Sequence, residues 1–431
     1  MTSDYRDRRL QVAKAIEPGV LVLFSAPLAL RNNDVEHEYR QDSDFYYLTG
    51  FDEPESVLVI RSSPSPKTVL FVRPRDPERE TWDGPRAGVE GATRDFGADE
   101  AYPLSELATK LPDLLQNIDN VYYRLGKQRA NDEVILSALD RVRARARTGA
   151  WCPRAIVDPN TVLHELRLIK LPEEVELMRR AAAITAEAHL AAMAAARPGK
   201  YEYEIEAVLN GIFRRSGSER PAYSSIVGSG PNATILHHRK NDRQMRDGEL
   251  LLIDAGCEFG YYASDVTRTF PVNGKFSEEQ RLIYQIVLDS QLAAIAATKP
   301  GATLDEVHRV ATDVIVTGLI DLGLIEGPLD KALEEQRHKP FFMHRTSHWL
   351  GMDVHDVGSY FVRGEARALA PGMVITVEPG LYFAVGETRV PERFRGIGIR
   401  IEDDVLVTEG EPAVLTSAIP KSLDDVERAC A

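Results

Sequence analysis

The second half of the chain repeats one pattern twice. Residues 172–196, PEEVELMRRAAAITAEAHLAAMAAA, read as a long helix broken by Arg197-Pro198-Gly199, and a second helix over 201–215 ends near Gly217. Strands follow. Residues 277–298, SEEQRLIYQIVLDSQLAAIAAT, then read as another long helix, opened by a capping box of Ser277 and Gln280 and broken by Lys299-Pro300-Gly301. Thr303 and Glu306 open a further capped helix that stops near Gly323, and strands follow again. Pro-Gly is a common helix stop, because proline has no N–H to donate and glycine tolerates the left-handed exit, so one break means little. Two breaks between paired helices constrain the chain to two α-α-β halves related by a pseudo-twofold axis.

The strands of both halves carry metal-ligand side chains. They are Asp254 in LLIDAG, Asp265 in SDVTRTF, His348 in SHWLG, Glu378 in TVEPG and Glu402 in IRIEDD. Any one of them is ordinary; an Asp ending an apolar run is more often a turn or cap residue. Together, four carboxylates and one imidazole make a hard, anionic, oxygen-rich set. One ion does not need four carboxylates, but two adjacent dications do, and such a pair can hold a hydroxide at neutral pH. Asp254 and Asp265 are eleven residues apart with Gly256 and Gly260 between, the spacing of a hairpin with both acids near one end. TVEP and GIGIRIEDD repeat the arrangement. Alternation places Arg400 and Glu402 on one strand face, where the guanidinium can orient or neutralise a carboxylate. The chain therefore points to a dinuclear metallohydrolase with the metals between the halves.

Five of the ten histidines fall in two short stretches, His237 and His238, then His344, His348 and His355. His344 and His348 are four apart, but no Glu follows His344, and Pro340 and Gly351 crowd the segment, so a helical HExxH zinc site is excluded. His238, beside Arg239 and Lys240, reads as a surface or hydrogen-bonded core imidazole. Cys257 is offset by three from Asp254, on the opposite strand face, and reads as a packed small hydrophobe.

The segments ILH (235–237), IDAG (253–256), SDVTRTFPVNGKF (264–276), MHRTSHWLGMDVHDVG (343–358), TVEPGLY (376–382) and GIGIRIEDD (396–404) resemble the motif series of the bacterial Xaa-Pro aminopeptidase (aminopeptidase P) family of the pita-bread metallopeptidase superfamily. In the first domain, YRQDSDFYYLTGFDEPESVLVI (39–60) and RETWDG (79–84) resemble that family rather than the related prolidases. The resemblance implies an α/β N-terminal domain and an α+β pita-bread (creatinase/aminopeptidase-like) catalytic domain. It implies removal of the N-terminal residue from peptides with proline in second position. Asp254, Asp265, His348, Glu378 and Glu402 would hold two Mn(II) ions, with Asp265 and Glu402 bridging and Co or Zn able to substitute in vitro. Glu378 would accept the water's proton and His355 would steady the oxyanion. His237 and His344 would line the substrate site, with His344 and Tyr382 shaping the proline pocket. A homo-oligomer, dimer or tetramer, is implied, with Trp82 approaching a neighbouring subunit's site. One departure is visible: the family reads Met-His-Gly where Arg345 follows His344 here. A cation there either captures a substrate carboxylate or points to solvent. The alternatives are a prolidase acting on dipeptides alone, which shares all five ligands, a creatinase-like amidinohydrolase, which lacks the full set, and a non-catalytic peptide-binding scaffold, which would have lost ligands.

Composition bounds the rest. The 431 residues are too many for one ordinary core, and 43% hydrophobic with 27% charged residues is a globular balance. A net charge of −14 argues against nucleic acid as a partner. Cys152, Cys257 and Cys430 make no disulfide framework. The charged N-terminus resembles no signal peptide, and the apolar run 19–30 is too short to cross a membrane, so a cytoplasmic location is expected. Three prolines in 151–172 mark a domain boundary there. The expected division is residues 1–160 for the N-terminal α/β domain and 161–431 for the catalytic domain.

Overall fold

The computed structural model describes residues 2–431, and side chains from residue 5 onward. The chain divides into two compact units, residues 1–165 and 166–431.

The first unit is built on a six-stranded mixed sheet. Its strands are β1 (Gly19–Phe24), β2 (Val57–Arg61), β3 (Lys67–Val72), β4 (Glu100–Pro103), β5 (Asn120–Tyr122) and β6 (Ala155–Val157), in the order β4-β3-β2-β1-β5-β6. β1, β2 and β3 pair antiparallel, and the outer pairs are parallel. Alternation puts Val20, Val22, Val57, Val59, Val69 and Phe71 on one face. There they pack against Leu111 and Leu115 of α1 (Leu107–Leu115) and Ile135, Leu139 and Val142 of α2 (Arg129–Ala144).

The second unit shows the repeat. Its first half pairs α3 (Pro172–Ala195) and α4 (Glu202–Arg215) with an antiparallel sheet of β7 (Ile226–Ser229), β8 (Leu250–Asp254) and β9 (Thr267–Pro271). Its second half pairs α5 (Glu278–Ala297) and α6 (Leu304–Asp321) with β10 (Val374–Val377) and β13 (Asp403–Leu406). The short strands β11 (Gly380–Tyr382) and β12 (Gly398–Arg400) pair between them in sequence. The capping boxes form as the sequence reads: Ser277 and Thr303 accept from the backbone N–H of Gln280 and Glu306. The alanines of α3 have side chains short enough to let the chain just after β8 approach closely, Cys257 Sγ lying 3.4 Å from the Ala181 carbonyl. Ala181, Ala188 and Ala192 share a core with Leu251 and Ile253 of β8 and Tyr284 and Val287 of α5. This core spans helices of both halves, while Ile375 and Val377 of β10 and Val405 of β13 pack in a second core with Ala294 of α5 and Val307 of α6.

Candidate metal centre

Strand pairing delivers the acids to one place. Asp254 ends β8 opposite Thr267, two residues after Asp265. The turn between them is tight enough to need Gly256, where a Cβ would stand 1.7 Å from the Ser264 carbonyl oxygen. Glu378 follows β10 directly, and Glu402 sits between β12 and β13. The Glu402 N–H donates to the Thr267 carbonyl at 3.0 Å, which joins the acid-bearing strands of the two halves. His348 is tied to β10, its carbonyl accepting from the Thr376 N–H at 3.0 Å and its own N–H donating to Thr376 Oγ1 at 3.2 Å. No helix carries His344 or His348, in keeping with the exclusion of the HExxH site.

Asp265, His348 and Glu402 place donor atoms within 4.8 Å of one another. Glu378 Oε1 lies 3.5 Å and Asp265 Oδ2 3.4 Å from His348 Nε2. His348 Nδ1 donates to the Trp349 carbonyl at 2.9 Å, so Nε2 is the nitrogen that faces the carboxylates; the acids keep a proton on it, and an ion taking that proton's place would meet its lone pair. That is the tautomer a metal-bound imidazole needs. Asp254 flanks the group, accepting from Arg400 Nη2 at 2.6 Å and from the Tyr223 hydroxyl at 2.6 Å. Alternation along the strand places Arg400 on the same face as Glu402. The structure instead points it at Asp254 and links it to Glu402 through Thr267, whose Oγ1 accepts from Arg400 Nε at 3.0 Å and donates to Glu402 Oε2 at 2.7 Å.

The electrostatics call for cations. Burial, reinforced by mutual repulsion, raises the carboxyls of Asp254 and Glu402, and burial pushes Glu378 up to about 7. Burial lowers the imidazolium of His348, but its acidic neighbours Asp265 and Glu378 overcome this and push it up to about 9. Four converging carboxylates faced by one guanidinium and one imidazole are short of positive charge. The donor set, its spacing and the His348 tautomer all fit a pair of hard divalent ions.

The expected residues do not all stand in one role. Asp254, Asp265, His348, Glu378, Glu402, Arg400, His237, His344 and His355 line one cavity of about 880 Å³. Tyr382 does not line that wall; it is buried behind it, because β11 pairs with β12 and turns the phenol toward Arg400. Arg400 Nη1 donates to the Tyr382 oxygen at 2.9 Å, so the phenol donates its own proton to His344 Nε2 at 2.9 Å. His344 then carries its proton on Nδ1, 2.8 Å from the Arg345 carbonyl. Burial and the nearby Arg400 charge lower His344 to about 3, which keeps it neutral. His355 stacks edge-on against His348, with ring centroids 4.6 Å apart. His238 is buried, Nε2 lying 3.0 Å from Glu202 Oε2, and Cys257 is packed in the core. Trp82, in the first unit, is 84% exposed.

Sequence reasoning missed the supports. Tyr223 had no motif around it. Asp404 accepts from the Asp265 N–H at 3.1 Å. Asp356, beside His355, is buried between Arg167 Nη2 at 2.6 Å and Lys170 Nζ at 2.9 Å, which anchors the His355 loop. Thr267, Asp356 and Asp404 lie in segments already singled out.

The model of Metallopeptidase family M24 matches residues 176–409, and that of the Aminopeptidase P, N-terminal domain matches residues 5–122. The chain is 45% identical over 427 residues to a Xaa-Pro aminopeptidase of Escherichia coli K12, covering 98% of this chain and 96% of that one. It is 38% identical to Xaa-Pro aminopeptidase 3 of Rattus norvegicus, over 95% of this chain and 80% of the relative. Among solved structures, Pseudomonas aeruginosa aminopeptidase PepP matches with a TM-score of 0.98 at 49% identity, covering 100% of this chain and 98% of that one. A variant of Escherichia coli aminopeptidase P in complex with substrate matches with a TM-score of 0.97 at 44% identity, with the same coverage.

Proposed function

The chain belongs to metallopeptidase family M24 and carries an aminopeptidase P-type N-terminal domain, and from this we propose that it is a Xaa-Pro aminopeptidase working with two manganese ions. It hydrolyses the bond between a peptide's first residue and a proline in second position. The observation that carries this reading is the convergence of all five ligand-type side chains, from both halves of the repeat, in one cavity beside three histidines.

Asp254, Asp265, His348, Glu378 and Glu402 would hold the ions, and Asp265 and Glu402 would be the acids common to both. When bound, such a pair supplies hydroxide at neutral pH and neutralises charge on the substrate carbonyl. The protein's own groups do the rest. Glu378 accepts the attacking water's proton. His355 faces the cavity and donates to the carbonyl oxygen as it gains charge. His344, held neutral with its tautomer set by Tyr382, presents an uncharged ring edge to the proline. Recognition of the ring is required because proline has no N–H for an extended-backbone peptidase to hold. Arg400 fixes Asp254 and balances part of the acidic charge. Tyr382 acts through His344 and Arg400, and His237 completes the wall.

The chain works as a homodimer or homotetramer in the cytoplasm, with the exposed Trp82 approaching a neighbouring subunit's site. Among the described residues no helix is long and apolar enough to cross a membrane. The decisive test compares kcat/KM for Xaa-Pro, Xaa-Pro-Yaa and a pentapeptide with proline second. Cleavage of the longer peptides is expected; turnover of the dipeptide alone would make the enzyme a prolidase.

A further inference from the structure

Arg345 follows His344 directly and does not simply point to solvent. It pairs with Asp305 and, with Leu304 and Asp305, lines the same cavity as the metal-ligand set. Asp305 stands in the first turn of α6, where the helix N-terminus favours its negative charge. Both side chains are about half exposed, at 59% for Arg345 and 48% for Asp305. The neighbouring His344 reaches inward, its Nδ1 3.9 Å from Glu378 Oε2. Arg345 therefore stands one residue outward from the ring that meets the proline.

We propose that Arg345 is a specificity residue that reads the free carboxylate of a short substrate, with Asp305 as its resting partner; this rests on the proline-aminopeptidase reading. A peptide advances roughly 3.4 Å per residue. A chain whose proline lies against His344 thus brings its next residue toward the rim where Arg345 stands. In a tripeptide Xaa-Pro-Yaa that residue carries the terminal carboxylate. A guanidinium binds a carboxylate through paired N–H donors, and a half-exposed ion pair is weakly held, so a substrate carboxylate can take the place of Asp305. A longer peptide offers an amide at the same point and leaves the Arg345–Asp305 pair closed. The pair thus grades substrates by length without blocking long ones.

The test measures kcat/KM for a free-acid tripeptide and its C-terminal amide on wild type, R345A and D305N, and reads the acid-to-amide ratio. A ratio cancels any general loss of activity in a variant. Wild type should favour the acid by roughly 3- to 10-fold, mostly through KM, the scale of one partly exposed charge-assisted pair. R345A should bring the ratio to about one, and D305N, which frees the guanidinium, should raise it. A wild-type ratio of one, or a preference that survives R345A and disappears in R239A, the other exposed guanidinium lining the cavity, overturns the proposal. Cleavage of both peptides at equal rates would leave the proline-aminopeptidase reading standing; cleavage of neither would remove both.

Discussion

Arg400 donates to Asp254 across 146 residues of chain at 2.6 Å, yet reaches Glu402, two residues further along the chain, through the hydroxyl of Thr267. One guanidinium thereby orients an acid from each half of the repeat. Its three bonds, to Asp254, Thr267 and Tyr382, use a planar fork that lysine cannot reproduce. Arg400→Lys should fold but bind manganese about 10- to 100-fold more weakly, the usual scale for losing a partner of a metal ligand. Isothermal titration with Mn(II) reads this directly, and wild-type affinity would remove the orienting role.

Two ions per chain are expected at saturating manganese, with activity lost to chelators and restored best by manganese. Elemental analysis finding no more than one ion per active chain would sink the dinuclear centre. Asp265→Asn should cost more activity than Asp254→Asn, because a shared ligand serves both ions.

His355→Ala should fold and keep its metal but lose about 10²- to 10³-fold in kcat, the scale for one oxyanion donor. Loss of metal in this variant would instead make His355 a ligand.

His189 links the core to the pH dependence of stability. It is fully buried on α3, with Nε2 2.9 Å from the Ala255 carbonyl, and burial pushes it down to about 4. A histidine whose pKa is lowered on folding binds fewer protons folded than unfolded. Its neutral form costs nothing above about pH 6.5, and stability falls as pH drops from there toward 4, by as much as about 3 kcal/mol. His189→Gln should be less stable at pH 7, with the gap to wild type narrowing toward pH 4. Urea unfolding at a series of pH values checks this; a constant gap would mean that His189 does not titrate as described.

The acid cluster was legible in the sequence because Asp254, Asp265, Glu378 and Glu402 each end or lie within two residues of a short strand whose apolar run and turn residues mark its place, whereas His348 lies in a loop that the backbone of β10 holds. The helix breaks at Pro198-Gly199 and Pro300-Gly301 revealed the repeat that brings those strands together. Local chemistry sufficed there, since capping, alternation and the turn at Gly256 act over a few residues. What surrounds the ligands was decided only by the tertiary structure. Tyr223 reaches Asp254, Thr267 reaches Glu402 and Lys170 reaches Asp356 across 31, 135 and 186 residues of chain. The direction of Arg400 followed from the β11–β12 pairing and the approach of β9, not from alternation along its own strand. A hydrogen bond depends on positions good to a few tenths of an ångström. A sequence pattern states which face of a strand a side chain occupies; only the packed strands of both halves set which partner that face meets.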